Sequence, residues 1–323
     1  MRRVAIKLVE LVVVVFFVTA ITFLLLNLLP GSPALSILGA NATPHAVAQL
    51  DKTLNLNHPL PVRYADWIGQ ILRGNFGTSE VDGQPVAQAI LQHLPVTLEL
   101  LVLCQLMAFL VAIPAGIWAG YRKNSWIDRV TTGGSFALLA FPPFIVALLL
   151  VYVFAVRWHV FPATGFTPIS AGLFSNLRTM FLPAFTLALG SVAIYVRVLR
   201  SEIINVLEEN YITAARAKGM PSWWILLRHA FRPSTFSLVT VAGINIGFLI
   251  GGSFIVEQIF ALPGIGLLTV DAIFSRDYVT VQGCILVVAV GFVVINFIVD
   301  LLYPVLDPRV RDQRIGRMRV SGQ

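Results

Sequence analysis

Long apolar runs separated by short polar stretches dominate the hydropathy pattern of the chain. A helix that crosses the hydrocarbon core of a membrane needs about 20 mainly apolar residues. Such runs occur at Leu8–Leu29, Thr97–Tyr121, Val130–Val156, Met180–Val196, Phe236–Val256 and Val279–Tyr303. The pattern therefore predicts an all-α integral membrane protein with six transmembrane helices and a sizeable external segment between helices 1 and 2.

The first run follows Met1-Arg2-Arg3, so a cleaved signal peptide is the alternative interpretation. Its apolar region of about 22 residues exceeds the 7–15 that are typical of a signal peptide. No cleavage site of the small-x-small type follows it cleanly. We therefore expect it to be a retained transmembrane helix.

The apolar runs divide the chain into an N-terminus with helix 1, an external segment, a helical core with an internal coupling region, and a basic tail. These parts are 1–30, 31–96, 97–303 with 200–235 inside it, and 304–323. In 31–96, the apolar spacing at Trp67, Ile68, Ile71 and Leu72 predicts a short amphipathic helix. Asn75–Ser79 and Asp82–Gly83 predict turns. This segment is either a cap on the membrane helices or a docking surface for an external partner, and the two are compatible.

The composition reinforces the membrane interpretation. Hydrophobic residues make up 57% of the chain, charged residues only 12%, and the mean hydropathy is +0.82. Soluble domains carry roughly 25% charged residues, so a soluble enzyme, a disordered chain and a nucleic-acid binder are excluded. The net charge of +7 then indicates membrane orientation.

Most of the 23 Lys and Arg residues fall in alternate loops. Cytoplasmic loops are enriched in these residues. The basic groups lie in 2–7, 122–129, 197–232 and 309–319. We therefore expect a multi-pass protein with both termini in the cytoplasm.

The internal segment 197–235 is the most informative loop. Ser201–Gly219 has helix-forming composition, and Gly219 can end that helix in a left-handed conformation. Ser222 can cap a second short helix over Trp223–Phe231, which we expect Pro233 to stop. The result is a protruding knuckle, with an ordinary interfacial hairpin as the alternative.

Motifs for catalysis are missing from the sequence. It has no Gly-x-Ser-x-Gly elbow and no His-Glu-x-x-His, and no lysine follows a glycine as a phosphate-binding loop requires. Cys104 and Cys284 lie in apolar runs and give no disulfide framework. We expect no catalytic, metal or cofactor site, so any ATP must be hydrolysed by another subunit.

Several positions in the apolar runs are candidates for packing or for the transport pathway. Gly243, Gly247 and Gly251 share one helix face, where they could pack within the chain or against a partner permease. Asn245 and Glu257 are candidate pathway residues, with an interhelical hydrogen bond as the alternative for Asn245. Pro142-Pro143 and Pro114 should kink or break their helices, and Leu262–Gly266 should precede a short re-entrant or interfacial helix.

The knuckle resembles the Glu-Ala-Ala-x-x-x-Gly loop of ABC importer permeases. The stretch that carries the resemblance is Tyr211, Ile212, Thr213, Ala214, Ala215, Arg216, Ala217, Lys218, Gly219, Met220 and Pro221. Thr213 replaces the Glu, and Ser237 stands where the peptide-importer branch usually has a second proline. Further stretches are similar to B-type dipeptide and oligopeptide permeases. They are Leu54–Val62, Gly74–Ser79, Pro95–Leu100, Ser275–Tyr278, Asn296–Tyr303 and Asp307–Arg311.

The resemblance implies a permease subunit of an ATP-driven importer in a bacterial inner membrane. Its partners would be a second related permease, two ATPase subunits that bind ATP and Mg, and an external solute-binding protein. Residues Thr213–Pro221 would couple the chain to the ATPase. Peptides are the expected substrate, with nickel chelates, glutathione or heme as alternatives and a stand-alone channel or ion-coupled carrier as a remote one.

Overall fold

The computed structural model describes residues 2–28, 43–53, 58–79 and 81–306. Of the motifs cited above, Asp307–Arg311 and the first four residues of Leu54–Val62 lie outside the described residues, as does most of the predicted tail. The described part is helical, which confirms the predicted all-α class. Its helices are α1 (Arg2–Leu28), α2 (Pro44–Thr53), α3 (Leu60–Leu72), α4 (Val86–Tyr121), α5 (Trp126–Ala140), α6 (Pro143–Arg157), α7 (Leu173–Leu207), α8 (Asn210–Ala217), α9 (Ser222–Gly252), α10 (Phe254–Phe260), α11 (Ile265–Phe274) and α12 (Tyr278–Leu306).

Four of these helices, α4, α7, α9 and α12, are long and apolar enough to cross a membrane. Two pairs of shorter helices, α5 with α6 and α10 with α11, raise the number to six if each pair counts as one span. The apolar stretch Val9–Leu25 within α1 is shorter than these long helices and is not counted among the four. The chain is therefore a multi-pass membrane protein, and the six-helix topology remains a prediction.

The chain forms two compact units. The first comprises Met1–Leu98 with Leu262–Val293, and the second comprises Glu99–Ala261 with Val294–Gln323. Each has its own core, and each is described separately below.

In the first unit, α3 packs on α1 through aromatic side chains. The hydroxyls of Thr19 and Tyr64 lie 2.8 Å apart, and the rings of Phe23 and Tyr64 meet edge to face. The amphipathic helix predicted around Trp67 is thus confirmed within α3. The sequence of α3 alone could not show that α1 supplies the surface against which it packs.

A second cluster in this unit holds the start of α4 against α12. Val86 and Cys284 are fully buried in it together with Ile265. The predicted turns at Gly77 and Gly83 are confirmed by their left-handed backbones, with φ of 86° and 73°. The Ser79 hydroxyl donates to Asp277 Oδ2 over 2.6 Å, which fastens this turn segment to the beginning of α12.

In the second unit, α7 packs against α4, α5 and α9. Two glycines of α4, Gly116 and Gly120, let α7 approach closely. A β-carbon at Gly116 would lie 3.0 Å from Leu199 Cβ, and one at Gly120 would lie 2.8 Å from Ile203 Cβ. Small residues four apart allow such contact between membrane helices, and α7 is accordingly the most buried of the four long spans.

Proline has opposite effects at two of the predicted positions. Pro142-Pro143 breaks the predicted third span, because α5 and α6 meet there at 100°. The prediction for Pro114 is wrong as far as a break is concerned, since α4 runs through it from Val86 to Tyr121. In membrane helices, neighbouring helices and local adjustments satisfy the backbone groups that proline frees.

Three expectations about helix ends are also corrected. The predicted helix Ser201–Gly219 is interrupted at Glu208 and Glu209, between α7 and α8. The helix predicted to stop at Pro233 instead continues to Gly252. Ser222 begins α9 but does not cap it, because the capping position is Pro221 and makes no side-chain hydrogen bond.

Candidate functional site

The candidate coupling site is built on a helix end with a defined geometry. Helix α8 ends at Ala217, and Gly219 has a left-handed backbone with φ of 75°, as predicted. The Met220 N–H donates to the Ala215 carbonyl and the Gly219 N–H donates to the Arg216 carbonyl, over 3.3 and 2.9 Å. This pair of bonds is a Schellman motif, which satisfies carbonyls at the end of a helix and reverses the chain direction.

A small hydrophobic cluster fixes α8 against its neighbours. Ile212, Ala215 and Ile225 are buried together, and Leu207 and Met220 pack around them. These residues belong to the end of α7, to α8, to the Gly219 turn and to the start of α9. The cluster explains the break at Glu208–Glu209, because only a turn there lets α8 fold back onto Ile225. Packing thus overrides helix propensity.

The first turns of α9 show how a helix passes through Pro233. Residues Ile225–Phe231 form a π-helical stretch, and the α-helical part begins at Arg232. Proline has no N–H to donate to the carbonyl of the residue four before it, which is His229. The Tyr211 hydroxyl donates to that carbonyl over 3.2 Å. Tyr211 of α8 therefore supplies the hydrogen bond that Pro233 cannot make.

The predicted coupling residues lie mostly on the surface. Ala215 is buried and Met220 is half-buried, while the others are exposed, namely Thr213, Ala214, Arg216, Ala217, Lys218, Gly219 and Pro221. Trp223 next to them is 61% exposed, and the Arg228 guanidinium lies 5.2 Å from the centre of the Trp224 ring. The site thus presents a polar and aromatic surface on a rigid apolar base.

Of the three glycines predicted to share a packing face, two are buried within the chain. Gly243 lies against Val299 of α12, whose side chain occupies the space that a β-carbon would need. Gly247 is also buried, whereas Gly251 is exposed. The structure therefore accounts for Gly243 by packing within the chain, and Gly251 is the member of the set that is open to a partner.

Asn245 belongs to a polar junction between three helices. Its side-chain amide donates to Ser191 Oγ and to Tyr195 Oη of α7, over 2.8 and 3.0 Å. The Tyr195 hydroxyl in turn donates to Gln105 Oε1 of α4 over 2.7 Å. This is the interhelical hydrogen bonding that the sequence left open as the alternative for Asn245. The half-buried Asn245 is the accessible edge of the junction, because Tyr195 and Gln105 are buried.

Glu257 lies in α10 and is fully buried. The Ser253 hydroxyl donates to its Oε1 over 3.0 Å. A carboxylate in this environment needs partners, because burying an unpaired charge is costly. The structure thus places Glu257 inside the second unit rather than on an open surface.

Sequence reasoning missed two ion pairs near the coupling site. Arg200 of α7 makes two hydrogen bonds to the buried carboxylate of Asp128, at the start of α5. Lys123 Nζ lies 2.8 Å from Glu208 Oε1, at the end of α7. The excess of Lys and Arg in both loops was visible in the sequence, but their pairing with these acids was not.

Chemistry outside these contacts is sparse in the part of the chain that the structure describes. Among those residues, no group of three or more His, Cys, Asp or Glu side chains could hold a metal ion. In the turn near α4, the Gln84 N–H donates to the Asp82 carboxylate and holds the pKa of Asp82 below its usual value. That carboxylate is exposed, and its hydrogen bond with the Gln84 N–H stabilises the turn.

Comparison with known protein families gives two matches that together span most of the chain. Residues 112–312 match the family described as binding-protein-dependent transport system inner membrane component. Residues 1–101 match the N-terminal part described for such membrane components.

Full-length relatives agree with this. A protein of Brucella abortus named as a peptide transport system permease is 40% identical over 96% of this chain and 98% of its own length. A peptide ABC transporter permease of Sinorhizobium fredii is 37% identical over 94% and 97%. The glutathione transport system permease GsiC of Salmonella typhi is 34% identical over the same shares of the two chains.

Among solved structures, an inward-facing conformation of the MetNI methionine ABC transporter is similar in fold. The match has a TM-score of 0.57 at 17% identity, and covers 69% of this chain and 98% of the other. At that identity the likeness concerns the fold.

Proposed function

The chain belongs to the family of binding-protein-dependent transport system inner membrane components, and we propose that it forms, with a second related permease, the membrane pathway of an ATP-driven peptide importer. Its relatives are permease subunits, so the chain itself is not an enzyme. In this proposal two ATPase subunits bind ATP and Mg, and an external solute-binding protein delivers the substrate.

The observation that carries the coupling role is the construction of the α8 knuckle. Seven of the nine residues of Thr213–Pro221 form an exposed surface, while Ile212 and Ala215 fix it to Ile225 of α9. The Schellman motif at Gly219 sets the angle between α8 and α9. A surface held this way moves as one body, so that closure of an ATPase dimer against it would move α7 and α9 together.

The proposed orientation rests on charge. The segments rich in Lys and Arg are placed in the cytoplasm, together with α8 and both termini. Residues 31–96 are then external and face the solute-binding protein. The permease core at 97–303 and the tail at 304–323 complete the organisation in the inner membrane of a bacterium.

Peptides are the substrate class that the names of the relatives share, because glutathione is itself a tripeptide. This favours peptides over nickel chelates or heme, and an ABC permease over a stand-alone channel or ion-coupled carrier. We place Asn245 at the edge of the pathway, where an amide can hydrogen-bond a peptide without holding it by charge. Glu257 is the second pathway candidate, and exposed Gly251 the candidate for packing against the second permease.

The proposal is tested by purifying the tagged chain in a mild detergent. ATPase subunits and a second permease should co-purify, and addition of the peptide-loaded solute-binding protein should stimulate ATP hydrolysis in proteoliposomes. Mass spectrometry of the ligand eluted from the binding protein identifies the substrate. A chain that purifies alone and conducts solute without ATP would contradict the proposal.

A further inference from the structure

We propose that the loop between α4 and α5, residues Arg122–Ser125, is a second docking surface for the ATPase subunit, beside α8. The inference rests on the proposed function, in which α8 docks on that subunit. Lys123 of this loop is paired with Glu208, which directly follows α7, and Glu209 precedes α8. The loop is therefore linked through two paired side chains to the turn that precedes α8.

The loop is held in one conformation by its own hydrogen bonds. Asn124 has a left-handed backbone with φ of 66°, and its N–H donates to Asp128 Oδ2 over 2.9 Å. The Ser125 hydroxyl accepts from the Asp128 N–H over 3.3 Å and thereby caps α5. Arg200 holds the same carboxylate from α7. Because the loop is already ordered, docking would cost little conformational entropy.

Two tryptophans indicate how far the loop projects. Trp118 in the last turns of α4 is 54% exposed, and Trp126 at the first position of α5 is 73% exposed. Tryptophan is enriched at the level of the lipid headgroups. The loop connects these two residues, so we infer that its tip extends past the headgroups into water, at the same end of the unit as α8.

The chemistry of the tip favours a protein partner. The Arg122 guanidinium lies 5.6 Å from the centre of the Trp118 ring, and no carboxylate pairs with it within the described residues. Lys123 is engaged by Glu208, and Asn124 is neutral and exposed. Recognition of anionic lipid usually needs a cluster of about four to eight basic residues. The Arg122 guanidinium and the Asn124 amide can instead donate hydrogen bonds to acceptor groups on the ATPase subunit, beside the surface on which α8 docks.

The test is site-specific crosslinking in the assembled complex. Cys104 and Cys284 are replaced by alanine and serine, and single cysteines are introduced at Asn124, at Lys218 and at Leu110, which is exposed in the middle of α4. Each is modified with a benzophenone maleimide and irradiated. We expect Asn124 and Lys218 to crosslink to the ATPase subunit, and Leu110 to crosslink to lipid or not at all.

The outcomes separate this inference from the proposed function. Crosslinking at Lys218 but not at Asn124, or only to lipid at Asn124, would overturn the second docking surface and leave the role of α8 intact. Crosslinking to the ATPase at neither position would overturn both.

A charge reversal gives an independent readout. Arg122→Glu should lower peptide-stimulated ATP hydrolysis about fivefold, as expected for loss of one charged contact at the rim of an interface. Arg129→Glu is the matched control, because Arg129 is exposed but lies one turn into α5. Equal loss in both variants would overturn the inference.

Discussion

Arg200 and Asp128 are 72 residues apart in the chain, yet their side chains form a two-pronged ion pair that joins α7 to the start of α5. Asp128 is buried, and about a quarter of the Arg200 side chain is exposed. The pair lies two turns before the end of α7, after which the chain enters α8. It therefore connects the bent helix pair α5–α6 to the element that carries the proposed coupling surface.

Removal of one partner from this pair should destabilise the second unit. Asp128→Asn is expected to cost about 3 kcal/mol, at the low end for buried pairs because Arg200 is partly exposed. Thermal unfolding of the purified complex measures this. The matched control is Lys123→Ala, which removes the exposed pair with Glu208 and should cost less than about 1 kcal/mol. Similar losses in both variants would show that burial of Asp128 contributes nothing.

Gly219 is expected to matter through its backbone. A β-branched residue in the left-handed conformation costs roughly 1–2 kcal/mol, and no atom lies within 4 Å of a β-carbon built at Gly219. Gly219→Val should therefore lower the ratio of peptide uptake to ATP hydrolysis without a steric clash. Gly219→Asn is the control, since asparagine tolerates this conformation. Normal coupling in the valine variant would refute the role of the Schellman motif.

Gly120 should be sensitive to any side chain. A β-carbon there would lie 2.8 Å from Ile203 Cβ and 3.0 Å from the Arg200 carbonyl, so Gly120→Ala would force α4 and α7 apart. Overpacking of this kind costs about 1–3 kcal/mol. Gly133→Ala serves as control, because nothing lies within 4 Å of the added carbon. Unfolding temperatures of the two variants should differ, and equal values would contradict the close approach of the helices.

The two roles of Asn245 can be separated. Asn245→Ala removes hydrogen bonds to Ser191 and Tyr195, each worth about 0.6 kcal/mol between membrane helices. Tyr195→Phe removes one of the same bonds from a fully buried position. If Asn245 lines the pathway, only its variant changes the preference among peptides in uptake assays. If both variants reduce uptake only in proportion to assembled complex, Asn245 is structural. Glu257→Gln is evaluated by the same criterion.

The orientation is tested by labelling. Asp82 lies in the exposed turn before α4, and we expect a cysteine there to react with a membrane-impermeant maleimide in intact cells. Asn55, outside the described residues, is expected to react in the same way. Reaction only after lysis would reverse the topology and the proposed placement of 31–96 toward the binding protein.

Much of the fold could be predicted because it depends on local pattern. Apolar runs located the long helices, Pro142-Pro143 located the sharp bend, and Gly219 located the left-handed turn. What the sequence could not show depends on contacts between distant residues. Helix α8 separates from α7 because Ile212 and Ala215 must reach Ile225. Pro233 does not end α9, because a π-helical stretch precedes it and Tyr211 donates to the His229 carbonyl.

In the candidate site, too, local pattern was predictable and distant contacts were not. The motif identified the surface residues of the site. It could not identify the residues that hold them in place, because the sequence does not show which hydroxyl an amide such as Asn245 will contact. The four-residue spacing of Gly116 and Gly120 is visible in the sequence of α4 and would have predicted a close helix contact there, but only the longer glycine series of α9 was considered. Only the structure shows which of these faces another helix occupies.

The continuity of α9 through Pro233 has a mechanical consequence. Trp223 at the coupling surface and Asn245 at the polar junction lie on one uninterrupted helix, roughly 33 Å apart at 1.5 Å per residue. If the helix ended at Pro233, bending at that residue would prevent a displacement of the first turn from reaching Asn245. As a single rod of that length, it turns a tilt of about 5° at one end into a displacement of about 3 Å at the other. That displacement equals the length of the hydrogen bond between Asn245 and Tyr195, so it would break this bond without any change in conformation within α7 or α9.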